Sequence, residues 1–164
     1  KFAHVKKRVA IWLDPWSDYD NAGYQLIQSL MAIASGGVLG VGLGLGSPTT
    51  IPVYHTDFIF SAIGEELGML GCLAVLLLLA AIIVRCLMVA RKARNTTESY
   101  VCVGVAAVLI FQTISNVGMC LFVLPVIGLT LPFFSYGGSS IVTLFAAMGM
   151  VSSVQSHSLP DWLR

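Results

Sequence analysis

The residues best suited to chemistry form a short run, His55-Thr56-Asp57-Phe58-Ile59-Phe60, followed by Gly64-Glu65-Glu66-Leu67-Gly68. No charge interrupts the apolar sequence over 67–84. The pattern sets one carboxylate, Asp57, beside the water-facing mouth of a membrane segment, where it can meet a lipid-anchored substrate with a polar head. Two readings of Asp57 stand at this level. In one, Thr56 or Asp57 caps the helix that becomes the span, accepting its first backbone N–H groups. In the other, Asp57 is a general base kept ionised by the helix dipole. A glycosidase pair of carboxylates stands about 5–9.5 Å apart, whereas Glu65, eight residues on, lies about 12 Å along a helix. Glu66 projects from the opposite side of the wheel. The spacing argues against that machinery and leaves Glu65 and Glu66 to bind a basic partner or to line the mouth. His55 either orients Asp57, contacts substrate or serves as a cap.

Other polar residues each have a bland and a sharp reading. Lys6, Lys7 and Arg8 are a solvated cluster or an attractor of pyrophosphate and anionic headgroups. Gln112 and Asn116, four apart on one helical face, hydrogen-bond between helices or line a polar cavity. Four cysteines, Cys72, Cys86, Cys102 and Cys120, are widely spaced in apolar runs, which suits packing rather than metal binding or disulfides. Gly40, Gly42, Gly44, Gly46, Ser47 and Pro48 form a loop open to close backbone approach. They lack the strand–helix setting of a dinucleotide site, and the chain contains no GxxxxGK[ST]. No metal-ligand cluster is evident, although Asp57 with external acids is able to hold a divalent cation against lipid phosphates.

These residues must be positioned by a membrane fold. The 164 residues are 57% hydrophobic and only 10% charged, against about a quarter charged in soluble domains. A net charge of +1 gives no field to recruit nucleic acid. The chain is expected to be all-α and polytopic, with transmembrane helices at about 67–89, 100–124 and 139–154, the last slightly short for the ~20 residues of a span. Residues 1–57 are expected to form a large external loop containing an amphipathic helix at about 22–35, with Leu26, Leu30 and Ile33 on one stripe, and Asp14-Pro15-Trp16 making a turn. The apolar but Pro/Gly-punctuated stretch 124–134 reads as a re-entrant connection buried in protein. Ser135-Tyr136-Gly137-Gly138-Ser139-Ser140 then leads into the last helix, with a serine as its expected N-cap. Arg91, Lys92 and Arg94 lie in the first connection between spans and no basic residue lies in the second. The first connection is therefore expected in the cytoplasm and the second outside.

Asp14-Pro15-Trp16, Gly23-Tyr24-Gln25-Leu26-Ile27-Gln28-Ser29, HTDFIF at 55–60, GEELG at 64–68 and GLTLPFFSYGGSS at 128–140 resemble, in order and spacing, the FtsW/RodA/SpoVE (SEDS) membrane proteins of bacteria. The resemblance covers nearly the whole chain, from about residue 8 to 154. It implies a ten-span fold of which 58–164 are the last three spans, with the N-terminal spans missing. It also implies a peptidoglycan glycosyltransferase of the inner membrane, acting in division, elongation or sporulation. Such an enzyme polymerises lipid II at the external face, beside a class B penicillin-binding protein and other cell-wall assembly proteins. The family's essential aspartate falls on Asp57, as general base of an inverting transfer in which undecaprenyl pyrophosphate leaves. Substrate contacts then fall on His55, Thr56, Glu65, Glu66, Lys7, Arg8, Ser135, Tyr136, Gly137, Gly138, Ser139 and Ser140. The competing readings are a flippase for lipid-linked precursors and a non-catalytic scaffold for division or elongation.

Overall fold

Inside a bilayer no water satisfies backbone N–H and C=O groups, so long apolar runs become helices. The computed structural model, which describes residues 3–18, 22–46 and 55–158, contains five α-helices and no strand among those residues. They are α1 (Ala3–Leu13), α2 (Ala22–Gly36), α3 (Ile59–Lys92), α4 (Thr96–Cys120) and α5 (Gly138–Ser158). A single 3-10 turn, Pro15–Asp18, links α1 to α2. Its entry is an Asx turn in which Asp14 Oδ1 accepts the Trp16 N–H at 3.2 Å. Helices α3, α4 and α5 are long and apolar enough to cross a membrane. The start of α3, the end of α4 and the start of α5 share one end of the bundle. Ser47 and Pro48 lie outside the described residues.

Two buried clusters hold the spans together. At the shared end, Phe58, Phe60, Val75 and Leu79 pack against Ala32 of α2, Met119 and Cys120 of α4, and Leu131. Toward the other end, Cys86, Val89 and Ala90 of α3 meet Cys102, Ala106 and Leu109 of α4 and Leu144, Val151 and Val154 of α5. Small side chains at this contact let the helices approach closely, which is how apolar helices associate where lipid is as apolar as they are. The cysteines are free thiols, three of them buried in these contacts.

The element bounds differ from those expected at several places: α1 was not expected, α3 runs on to Lys92 rather than near 89, α4 begins at Thr96 rather than near 100, and three further differences have a visible cause or extent. Helix α3 begins at Ile59 rather than near 67, because it is two helical pieces joined across Gly68, whose φ of 66° and ψ of −163° are not helical. In an unbroken helix Met69 N–H would bond Glu65 C=O and Leu70 N–H would bond Glu66 C=O. Instead Met69 and Leu70 donate to Gly37 and Val38 carbonyls at 2.9 and 3.3 Å, while the Glu65 and Glu66 carbonyls accept from Val41 and Gly42 at 3.0 and 3.1 Å. The loop after α2 thus takes over both of these bonds, and the piece beyond it, 69–92, is about 36 Å long, enough for one span. Helix α4 stops at Cys120 rather than near 124, where Phe122 turns to a φ of 63° and the Gly118 carbonyl accepts from both Val123 and Leu124. Helix α5 extends to Ser158, past the expected 154.

Between α4 and α5, residues 121–137 fold back without helix, yet Leu131, Pro132 and Ser135 within them are buried. The backbone there is satisfied locally: Ser135 Oγ accepts the Leu131 N–H at 2.7 Å, and Ser135 N–H bonds the Leu131 carbonyl. Phe133, at a φ of 66°, meets Phe145 of α5 edge-on with centroids 6.0 Å apart.

Candidate functional site

Asp57 sits just before α3. The N-cap position belongs to Phe58, whose side chain makes no capping bond, so neither Thr56 nor Asp57 occupies that position. The backbone of Asp57 is fixed from below: Asn116 Nδ2 donates to its carbonyl at 2.8 Å and to the Leu129 carbonyl at 2.6 Å. A few residues on, the Tyr136 N–H donates to the His55 carbonyl at 2.8 Å. The 55–58 stretch and the 121–137 connection are therefore sewn together along their length. The carboxylate of Asp57 faces Gly128, where a Cβ would stand 3.4 Å from Oδ2. Gly128 has a φ of 77°, in the region that favours glycine.

The basic residues reach the same place by a different route. Arg8 Nη1 donates to the carbonyls of Val126 and Ile127 at 3.2 and 3.1 Å, immediately before Gly128. Trp12, one turn on, donates Nε1–H to the Phe122 carbonyl at 3.1 Å. These bonds tie α1 to the connection and leave the Lys6 and Lys7 side chains exposed on the same helix. Arg8 thus spends at least part of its donor set on backbone.

The remaining expected site residues divide. His55 and Thr56 precede Asp57 in the chain, and Tyr136, 77% exposed, is held to the His55 carbonyl through its backbone. Gly137 and Gly138 precede and open α5, and Ile141 N–H bonds the Gly137 carbonyl. Ser139 and Ser140 fall within the first turn of α5, so no serine holds the expected N-cap position. Ser140 Oγ pairs with Thr130 Oγ1 at 3.1 Å, and Ser135 Oγ turns inward as described. Glu65 and Glu66 stand at the far end of the helical piece 59–67 from Asp57. Both pack against Gly46, where a Cβ would lie 3.2 Å from Glu65 Cδ and from Glu66 Cγ. The structure therefore joins Asp57 to the connection and to α1 and sets the two glutamates apart. Among the described residues no group of three or more His, Cys, Asp or Glu could hold a metal ion, so the protein groups on view do not form a cage for a divalent cation.

Sequence reasoning missed Gly128 and the aim of Asn116. Gly128 opens a motif already singled out, and only its φ reveals its use. Asn116 gave a helical-face signal, but its two acceptors lie 59 and 13 residues away in the chain and belong to no helix. Its neighbour Gln112 has a buried Oε1 with no hydrogen-bond partner among the described residues.

Three apolar spans with a carboxylate lodged at their common end define a multi-pass membrane protein with a boundary site. The family described as Cell cycle protein, FtsW/RodA/SpoVE, matches residues 2–159, and this chain belongs to that family. It is 41% identical over 163 residues to the peptidoglycan glycosyltransferase RodA of Mycobacterium bovis, covering 99% of this chain and 34% of that protein. It is 39% identical over 154 residues to the stage V sporulation protein E of Bacillus subtilis, covering 93% of this chain and 42% of that protein. A solved structure described as "Structural coordination of polymerization and crosslinking by a peptidoglycan synthase complex" superposes with a TM-score of 0.76 at 33% identity, covering 97% of this chain and 44% of that one. The chain thus spans well under half the length of these relatives.

Proposed function

We propose that these residues form the acid-bearing part of a peptidoglycan glycosyltransferase that polymerises lipid II at the outer face of the cytoplasmic membrane. The observation that carries this reading is the fixed placement of the Asp57 carboxylate against Gly128, at the end of the bundle where the spans meet water. Family membership and the names of the relatives support it. Asp57 accepts the proton of the acceptor sugar hydroxyl as that oxygen attacks the anomeric carbon of the donor. The glycosidic bond forms, the anomeric C–O bond to pyrophosphate breaks, and the configuration inverts. Negative charge grows on the departing pyrophosphate, and Lys6 and Lys7, on the helix that Arg8 anchors beside the site, are suited to stabilise it. The basic stretch 91–94, at the end of α3 and in the connection after it, then faces the cytoplasm and the 121–137 connection faces outward. A class B penicillin-binding protein is the partner that such an enzyme serves.

A transport reading needs ionisable groups or broken helices near mid-span. The polar side chains of the inner part of α4 are Gln112, Thr113, Ser115 and Asn116, none of them ionisable, and Asn116 is engaged by two carbonyls; the break in α3 at Gly68 lies before the span 69–92 rather than within it. Glycan-chain formation from purified lipid II tests the proposal, using a protein of family length that carries these residues, together with its partner. Polymer from wild type and none from folded Asp57→Asn is the expected result. Equal polymer from both removes Asp57 as base; none from either, in an intact complex, moves the reading to transport or scaffolding.

A further inference from the structure

We infer that Asn116 is the positioning residue of this site, a single buried amide that sets Asp57 against the connection carrying Gly128. The inference rests on the glycosyltransferase reading for its chemistry but not for its geometry. Asn116 is fully buried, at 0% exposure, near the end of α4. An amide nitrogen has two hydrogens, and here each has one acceptor: the carbonyl of Asp57 at 2.8 Å and that of Leu129 at 2.6 Å. Leu129 follows Gly128 directly, so the two acceptors belong to the two backbones that face each other across the site. The amide oxygen is also used, since Cys120 Sγ, one turn on, lies 3.9 Å from Oδ1 and 3.8 Å from the Asp57 carbonyl. The two carbonyl acceptors set which way the amide points, nitrogen toward them and oxygen toward the sulfur, whose single hydrogen serves one of its two neighbours at a time.

No other side chain of similar size does this. An aspartate has no donor when ionised and would set its oxygens against two carbonyl oxygens. A leucine would take the amide from both carbonyls, leaving that of Asp57 only the weak thiol contact, at the cost of desolvated polar groups. A glutamine keeps the donors but places them one methylene too far. Catalysis by a positioned base is sensitive to this geometry, because a misplacement of about 1 Å costs on the order of a hundredfold in rate.

The test uses the family-length protein with its partner and two readouts. The first is geometric and needs no activity. His55→Cys and Tyr136→Cys together report docking of the same two backbones, through disulfide yield under a membrane-impermeant oxidant. Asn116→Asp in that background should lower the yield strongly. The second is kinetic, with the native His55 and Tyr136. Asn116→Asp should lower kcat for lipid II polymerisation by about ten- to a hundredfold, with KM within about twofold. Unchanged disulfide yield overturns the clamp whatever the activity. Reduced yield with wild-type kcat overturns its role in positioning. If Asn116→Asp does not fold, Asn116→Gln, which keeps both donors but moves them by one methylene, takes its place in both readouts; wild-type disulfide yield together with wild-type kcat there overturns the inference. Absence of polymer from wild type would instead remove the glycosyltransferase reading, while the disulfide yield still decides whether the clamp exists.

Discussion

The carboxylate of Asp57 and the Cα of Gly128 face each other with no side chain between them, close enough that a methyl on Gly128 would touch Oδ2 at 3.4 Å. The contact itself is ordinary, but Gly128 holds a φ of 77°, which costs an L-residue roughly 1–2 kcal/mol. Gly128→Ala therefore strains the connection at the point where it meets Asp57. In a protein of family length, and on the glycosyltransferase reading proposed above, the expected outcome is a folded protein, less stable by about that amount, whose polymerisation falls more than its melting temperature suggests. Glycan synthesis and thermal unfolding measured on the same preparation check this. Wild-type activity would show that the glycine is not needed beside the carboxylate.

A larger effect is expected at the break in α3. Gly68 has a φ of 66°, and a Cβ there would collide with Gly40 N and lie 2.6 Å from the Val38 carbonyl. Both neighbours are backbone held in the four-bond exchange between 37–42 and 65–70, so neither yields cheaply. Gly68→Ala combines left-handed strain with overpacking and should cost roughly 2–5 kcal/mol. Loss of the monodisperse species in detergent, or a steep fall in melting temperature, is the expected reading. A variant that melts like wild type would mean the clasp is not rigid.

How much of this was legible in the sequence depends on the range of the interaction. The apolar runs declare three spans because a span is a local property of some twenty residues, and α2, Ala22–Gly36, lies where the stripe of Leu26, Leu30 and Ile33 suggests a helix, although Leu30 is exposed rather than packed. The start of α3 was not legible, since Glu65 and Glu66 read as a boundary while their carbonyls are in fact claimed by Val41 and Gly42. The end of α4 was hidden for a similar reason: Gly118 closes the helix with a bond pattern that its apolar neighbours do not announce. The motif around Asp57 stood out by composition, but nothing in it names Asn116. Contacts between distant backbone segments are set by tertiary packing, and one chain carries no periodic signature of them.

Glycine is not equally necessary throughout the 128–140 motif. Gly138 has nothing within 4 Å of an added Cβ, and Gly137 would meet only the Ser140 side chain at 3.5 Å. Neither carries a positive φ. The turn into α5 therefore does not need two glycines for conformational reasons. Gly138→Ala should fold with a melting temperature within a few degrees of wild type, since Ala favours a helix by up to about 1 kcal/mol over Gly. Activity then separates two roles. Retained polymerisation means the position is only a helix start, whereas loss with intact folding means that substrate or another part of the protein approaches there.

Three elements meet at a pair of buried hydroxyls. Ser29 of α2 lies 2.6 Å from Ser61 of α3, oxygen to oxygen, and Ser29 Oγ donates to the Cys120 carbonyl of α4 at 3.1 Å. A hydroxyl has one hydrogen, so Ser29 gives its own to Cys120 and accepts the one from Ser61. That assignment makes the two serines unequal. Ser29→Ala strands the Cys120 carbonyl and leaves the Ser61 hydroxyl only the Cys120 thiol beside it, at a cost of about 1–3 kcal/mol for buried unpaired groups. Ser61→Ala leaves only an unused lone pair on Ser29, because the Cys120 bond persists, and should cost about 1 kcal/mol or less. Melting temperatures in one detergent should therefore fall in the order wild type, Ser61→Ala, Ser29→Ala. The reverse order would mean that the hydrogen runs the other way and that α2 is held to α3 rather than to α4 through this contact.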